Sequence, residues 1–300
     1  MKKLLYCTAL YSKQAYCQKE RLEAFNKAYM AALEHDIEIH VQTLVNNSPK
    51  SFYKDLLRMH MKEARFPYTI CDYGELKYDT EYERREYDWL IHDSDGNIAK
   101  NEDGSVEMFS VTHQDIYRLL AHLFNIGIDF AVEKNFDYFG ILSGDQILPP
   151  EHPATLVKFL EDHPQAGLAS ALAYYDFSKK EIVRDGKVRT YQTPLIIIRQ
   201  RPGETDEETK ARQDWIYHNL LPHEENGWTG LEFVEVDAVG TGGSIVPRKV
   251  FSQLKFVDAK FVGEGEDIQF CLDIKNKLGL KVYSVPTIVV QNRYESGDLY

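Results

Sequence analysis

The sequence predicts an α/β fold in which one large domain, residues 1–300, carries a sheet flanked by helices. Three observations predict it. Residues 3–45 read strand–helix–strand, which implies parallel pairing with a right-handed crossover. Strand-like runs at 166–174, 233–247 and 281–290 then alternate with helical stretches. Between them, an apolar run over residues 136–142 stops abruptly at Ser143-Gly144-Asp145. That is the profile of a strand buried on both faces and closed by turn chemistry.

The totals fit such a domain. A chain of 300 residues with 43% hydrophobic content has enough apolar side chains for an ordinary core, which excludes disorder. The formal net charge of −12 argues against broad binding to nucleic acid, whose affinity comes from cations meeting phosphates. It leaves room for a small pocket that takes one phosphorylated ligand. Cys7, Cys17, Cys71 and Cys271 form no CxxC pair and show no metal-site spacing, so reduced, buried thiols in a cytoplasmic protein are expected. The opening MKKLLYCTAL carries an apolar run too short for a signal peptide and reads as a first strand. No apolar stretch approaches the length of a membrane span.

Taken in order, residues 3–10 give that strand and residues 18–34 a helix with Leu22, Phe25, Tyr29 and Leu33 on one face. Residues 37–45 (IEIHVQTLV) are β-branched and alternating, a second strand closed by Asn46-Asn47-Ser48-Pro49. A helix over 51–65 and a short strand over 68–72 follow. Residues 73–111 are polar and tyrosine-rich, with turn signals at Asp95-Gly96 and Asp103-Gly104, and read as hairpin, loop or a covering insertion. The DSDGN run is no calcium loop, because its glycine sits too early and no glutamate follows at the required spacing.

Thr112 and Asp115 resemble a helix-start box, after which Ile116, Leu119, Leu120, Leu123 and Phe130 mark a long amphipathic helix. A helix over 152–162 tolerates Pro153 in its first turn, and Val183 to Val188 around Asp185-Gly186 signals a hairpin. Residues 203–214 read as a solvated, charged helix start. Gly240-Thr241-Gly242-Gly243 lacks the phosphate-loop pattern, so its glycines permit close approach of backbone to a ligand or to another strand. Gly263 to Asp267 opens a helix that ends near Gly279, and strands over 281–284 and 287–290 complete the sheet.

In an open α/β sheet, ligands sit beyond the carboxyl ends of the strands. Asp145 stands at such an end, placed to hold a metal ion and a phosphorylated ligand, or else to cap its own turn before Pro149-Pro150. Glu266 and Asp267 at a helix start are equally what the helix dipole favours.

The order of these blocks resembles the GT-A glycosyltransferases, particularly family-2-type enzymes with nucleotide-sugar donors. The likeness rests on SGD before prolines, GTGG leading to PRKVF, and GEDIQFCLDIKNKLGLKVYSVP. It covers residues 112–292 well and the first strand and helix more loosely. It implies a GT-A-like, Rossmann-type mixed sheet. Where that family has Asp-x-Asp this chain has Ser143-Gly144-Asp145, and where its VPxxxVxH ends in histidine this chain has Asn292. The resemblance therefore implies Asp145 as the main ligand of a divalent Mn²⁺ or Mg²⁺ ion, with Asn292 a neutral second one. It implies Asp267 as the base that takes the acceptor's proton, with Glu266 orienting or touching the acceptor. It sets the nucleotide sugar against Thr8, Ala9, Tyr11 and Asp72, with Gly144 and Asp145 at its phosphates and Asn125 within reach. Trp228, in GWTG just before the GTGG strand, would form an acceptor platform, with Gly242 and Gly243 beside it. The acceptor hydroxyl, on a glycan, lipid-linked, protein or nucleobase partner, is left open.

Two rivals remain. A sugar-phosphate nucleotidyltransferase would place a glycine-rich basic loop after the first strand, and CTALYSKQ lacks the glycines. A nucleotide-sugar-binding module without activity is compatible with the reduced acidic motif.

Overall fold

The computed structural model describes residues 1–74, 89–90, 108–109, 114–184, 187–194, 196–220, 230–257 and 265–292. Strand β1 (Lys2–Leu10), helix α1 (Gln18–Leu33), strand β2 (Ile37–Val45), helix α2 (Lys50–Glu63) and strand β3 (Tyr68–Asp72) form the opening the sequence predicts. β1 and β2 pair in parallel from Lys2↔Ile37 to Leu10↔Val45, and β2 and β3 from Val41↔Tyr68 to Val45↔Asp72. α1 forms because Leu22, Phe25, Ala28 and Ala32 recur at helical spacing and bury one face on the sheet. Burying each large side chain there contributes about 1.5–3 kcal/mol.

Within residues 73–111, strands β4 (Trp89–Leu90) and β5 (Met108–Phe109) pair antiparallel, and most of the remainder lies outside the described residues. So does Thr112 of the expected helix-start box. Helix α3 (Gln114–Glu133) then returns the chain to β6 (Tyr138–Ser143), which pairs with β1 in parallel. β7 (Gln146–Ile147) and α4 (His152–Asp162) follow. β8 (Ala166–Arg184) is far longer than the expected 166–174, because it continues into a hairpin with β9 (Lys187–Pro194). Arg184↔Lys187 and Val183↔Val188 close that hairpin around residues 185–186.

After β10 (Ile196–Ile197), helix α5 (Asp206–Asn219) begins at a capping box in which Thr205 accepts from the Glu208 N–H. The charged stretch there is a complete helix, with Thr209 and Ile216 as its buried side. Next come β11 (Val234–Val236), β12 (Ala238–Val239), β13 (Ser244–Pro247), α6 (Arg248–Phe251), α7 (Glu266–Leu278) and β14 (Lys281–Asn292). The two expected strands at 281–284 and 287–290 are one strand. Its pairing with β8 shifts register between Val285 and Val289, where Pro286 has no N–H to give the ladder.

The main sheet runs β11-β14-β8-β13-β6-β1-β2-β3 and is mixed. Antiparallel β13 lies between β6 and β8, so it separates the parallel β6-β1-β2-β3 half from the parallel β8-β14 pair. Each face of the sheet carries a core. Leu4, Tyr6, Phe25, Leu156 and Ile245 pack under α1 and α4. Leu5, Leu123, Phe139, Phe251 and Phe270 pack under α3, α6 and α7. This two-layered burial leaves the strand ends as the place where polar groups gather.

Candidate active site

β1 and β6 end side by side, with Ala9 opposite Ser143. The turn that follows is braced from within. The Ser143 N–H donates to Gln146 Oε1 at 2.9 Å, and the Gly144 carbonyl accepts from Gln18 Nε2 at 2.8 Å and from Cys17 Sγ at 3.6 Å. β7 then crosses the end of β14, pairing Gln146 with Asn292 and Ile147 with Gln291. Asp145 and Asn292, far apart in sequence, thus reach one strand crossing.

The Gly240–Gly243 turn precedes β13 and packs on the same rim. The Gly243 N–H donates to the Ile141 carbonyl at 2.8 Å, and its own carbonyl accepts the Ala171 N–H at 3.0 Å. Gly243 has φ +88, and a Cβ there would stand 2.9 Å from Val290 Cγ2. At Gly242 a Cβ would stand 2.5 Å from Gln146 Nε2. The glycines therefore make room for neighbouring side chains of this protein, the strand-packing alternative.

α7 brings the second carboxylate to this turn. The backbone of Thr241 hydrogen-bonds the Asp267 side chain, and the Ile268 N–H donates to Asp267 Oδ1 at 2.7 Å. The glycine turn thus meets the Gln146 side chain, next in sequence to Asp145, at Gly242 and the Asp267 carboxylate at Thr241. Burial pushes the Asp267 carboxyl up to about 6, against the pull of the backbone N–H groups. Glu266 is buried, its Oε2 has no hydrogen-bond partner, and burial with the adjacent Asp267 raises it well above the ordinary carboxylate value. Asp145 is raised by burial, while a backbone N–H and Arg21 act the other way.

Several residues that sequence reasoning passed over hold this site. Arg21 is buried on α1 and donates to the Gln146 carbonyl, to Gln18 Oε1 and to Thr8 Oγ1. His152 is fully buried, accepting from the Tyr6 hydroxyl at Nδ1 (2.8 Å) and donating from Nε2 to the Gly243 carbonyl (3.0 Å). The carbonyl can only accept, which fixes that tautomer. Burial lowers the imidazole to about 4, so it is neutral. A signal for the first group was present: Gln14, Gln18 and Arg21 are spaced to form a polar line beside the apolar face of α1.

The expected donor contacts fare differently. Thr8 is 0% exposed, and its hydroxyl donates to the Leu142 carbonyl at 2.6 Å while accepting from Arg21. Its side chain is an internal brace. Asn125 is likewise engaged: its amide donates to the Phe256 carbonyl and accepts the Phe256 N–H, both at 2.8 Å. That reciprocal pair fixes the segment after α6 and is the role the structure gives it. Asp72 accepts the Gly74 N–H at 2.9 Å, a turn at the end of an edge strand. Ala9 is buried, whereas Tyr11 is 42% exposed just past the end of β1. Trp228 lies outside the described residues.

Among the described residues, no group of three or more His, Cys, Asp or Glu side chains could hold a metal ion. One carboxylate, Asp145, with neutral Asn292 fits an ion that takes its remaining oxygens from a bound phosphate and water, and does not fit a cage built by protein alone. A separate open groove of about 390 Å³ lies behind β7, between Glu20, Glu23 and Lys27 of α1 and Pro149, Pro150 and Gln291. Neither Asp145 nor Asp267 lines it. No described helix is long and apolar enough to cross a membrane.

No known family model and no curated protein matches the sequence. Among solved structures, the chain is similar to GalNAc-T7 with UDP, GalNAc and Mn²⁺, at TM-score 0.52 and 13% identity, over 98% of this chain and 43% of that one. Looser likenesses are the mannosyltransferase PcManGT from Pyrobaculum calidifontis in complex with GDP-Man and Mn²⁺ (TM-score 0.47, 14% identity, 98% of this chain, 58% of that one) and S. aureus TarS 1-349 in complex with UDP-GlcNAc (TM-score 0.45, 9% identity, 100% of this chain, 62% of that one). The chain thus spans less than two thirds of the length of each of the three. At these identities the likeness is one of fold. The architecture is GT-A-like, a mixed sheet flanked by helices.

Proposed function

We propose that this chain is a glycosyltransferase that moves a sugar from a nucleoside-diphosphate sugar to a hydroxyl acceptor. One observation carries the reading: Asp267 and Gln146, the residue after Asp145, meet the same glycine turn, at the strand ends of a GT-A-like sheet. Asp267 has the properties of a general base. It sits close to neutrality at about 6, and backbone N–H groups aim its carboxylate. It takes the acceptor's proton as the acceptor oxygen bonds the anomeric carbon. The bond from that carbon to the phosphate oxygen breaks, and its electrons leave with the nucleoside diphosphate. Glu266 beside it, its carboxyl raised by burial and by the Asp267 charge, orients or touches the acceptor.

A divalent Mn²⁺ or Mg²⁺ ion, held by Asp145, Asn292 and the donor's phosphates, would neutralise charge on the leaving group. The protein's own part is to hold Asp145 at the rim through the hydrogen bonds of Gln146, Gln18 and Arg21. The GalNAc-T7 structure contains both a nucleotide and Mn²⁺, which supports this ligand class. A second reading, a module that binds donor without transfer, is favoured by the single carboxylate at the strand end.

Hydrolysis of UDP- and GDP-sugars in Mn²⁺ tests the proposal and separates the two readings. An active enzyme slowly releases free sugar, and a binding module does not. Asp145→Asn is expected to abolish metal-dependent donor binding, whereas Asp267→Asn keeps binding and loses transfer. Wild-type turnover in Asp267→Asn would remove the base assignment.

A further inference from the structure

Arg21 is a buried cation that makes no ion pair among the described residues. Its guanidinium donates to three neutral oxygens: the Gln146 carbonyl at 3.2 Å, Gln18 Oε1 at 2.8 Å and Thr8 Oγ1 at 2.9 Å. Its opposite charge is Asp145, which it acts on without a direct ion pair, so the buried guanidinium is held for its field at the turn as well as for its hydrogen bonds. The side chain is 4% exposed and cannot touch a ligand. Its field, however, reaches the 143–146 turn, because one of its bonds ends on the residue next to Asp145.

Asp145 and Arg21 together sum to no net charge at that turn. A bare divalent cation therefore meets a carboxylate whose attraction is largely cancelled from behind. A multiply charged diphosphate meets the opposite situation, since the buried cation offsets its repulsion by Asp145. We infer that Arg21 is a positioning residue that makes the strand-end turn select for anions, so that a nucleoside diphosphate binds first and then recruits the divalent ion. This rests on the glycosyl-donor reading of the site and adds an order of binding to it.

Calorimetry on the whole chain tests it. UDP and GDP are each titrated in chelator, and MnCl₂ is titrated with and without saturating nucleotide. One nucleotide is expected to bind without metal, and Mn²⁺ to bind about tenfold or more tightly once it is present. Arg21→Gln, which keeps polar contacts but removes the charge, is expected to move the two affinities in opposite directions. Metal-free nucleotide binding weakens about tenfold, while Mn²⁺ binding to the nucleotide-free protein strengthens. Arg21→Lys restores the charge and returns both towards wild type. A merely structural Arg21 would weaken both together, which overturns the inference and leaves the donor reading standing. Equal Mn²⁺ affinity with and without nucleotide in the wild-type protein overturns it without any variant. Absence of binding by either nucleotide, with or without Mn²⁺, removes the donor reading and the inference with it.

Discussion

The backbone of Thr241 hydrogen-bonds the Asp267 carboxylate, tying the first turn of α7 to a glycine turn that already packs against Gln146. Two distant stretches of chain become one rim through this contact. It also sets the acidity of Asp267, because donated N–H groups favour the charged form while burial disfavours it, and burial wins.

The pH dependence of activity follows. A base that ionises near 6 must be deprotonated to work, so kcat/KM is expected to rise through about pH 6 and level off above it. The same group opposes folding when charged. Its folded value lies above the ordinary carboxylate value of 3.8, so the folded protein binds the extra proton and loses stability as pH rises through about 6. Asp267→Asn is therefore expected to lose transfer and to melt at a higher temperature than wild type at pH 7.5. A lower melting temperature would contradict the burial argument.

His152 acts with the opposite sign. Its folded value of about 4 lies below the ordinary 6.5, so its contribution is complete above pH 6.5 and is lost as pH falls towards 4. Urea denaturation at pH 7.5, 6 and 5 should show this slope most clearly in the Asp267→Asn background, where the opposing titration is gone. His152→Gln can keep a donor for the Gly243 carbonyl and an acceptor for Tyr6 without titrating, and is expected to flatten the profile.

Gly243→Ala should destabilise by about 1–3 kcal/mol, since the left-handed backbone and a Cβ 2.9 Å from Val290 Cγ2 both act against it. Denaturant midpoints measure this. Adding Val290→Ala relieves the collision but not the backbone strain, so recovery in the double variant is expected to be partial.

Asn125→Ala leaves the Phe256 N–H and carbonyl without their side-chain partner and is expected to cost about 1–3 kcal/mol in stability. Nucleotide affinity by calorimetry should stay at the wild-type value. A selective loss of affinity at unchanged stability would return Asn125 to the donor site.

The strand–helix–strand opening was legible because both of its signals are local. β2 (Ile37–Val45) alternates, and α1 repeats its apolar residues at helical spacing, so each needs only a window of its own sequence. Asp145 and Asp267 stood out as carboxylates beside turn and helix-start residues, and the resemblance paired them. Less legible were the uses of the polar residues between them. Thr8 and Asn125 look like ligand contacts from their positions, yet their hydrogen bonds end on Leu142 and Phe256, partners more than a hundred residues away. Arg21 only continues a polar line through Gln14 and Gln18, which does not announce its burial, and nothing in the local pattern of α4 announces the buried imidazole of His152.

By itself the sequence determined most of the elements and their order, because periodicity and turn chemistry act over a few residues, and it offered the two carboxylates as candidates. Only the tertiary structure decided the rest: that β13 runs antiparallel inside the sheet, that β7 meets the end of β14, and that Arg21 lies behind Asp145. The physical reason is that a buried polar group must find its partner wherever folding brings one, and chain distance does not limit that choice.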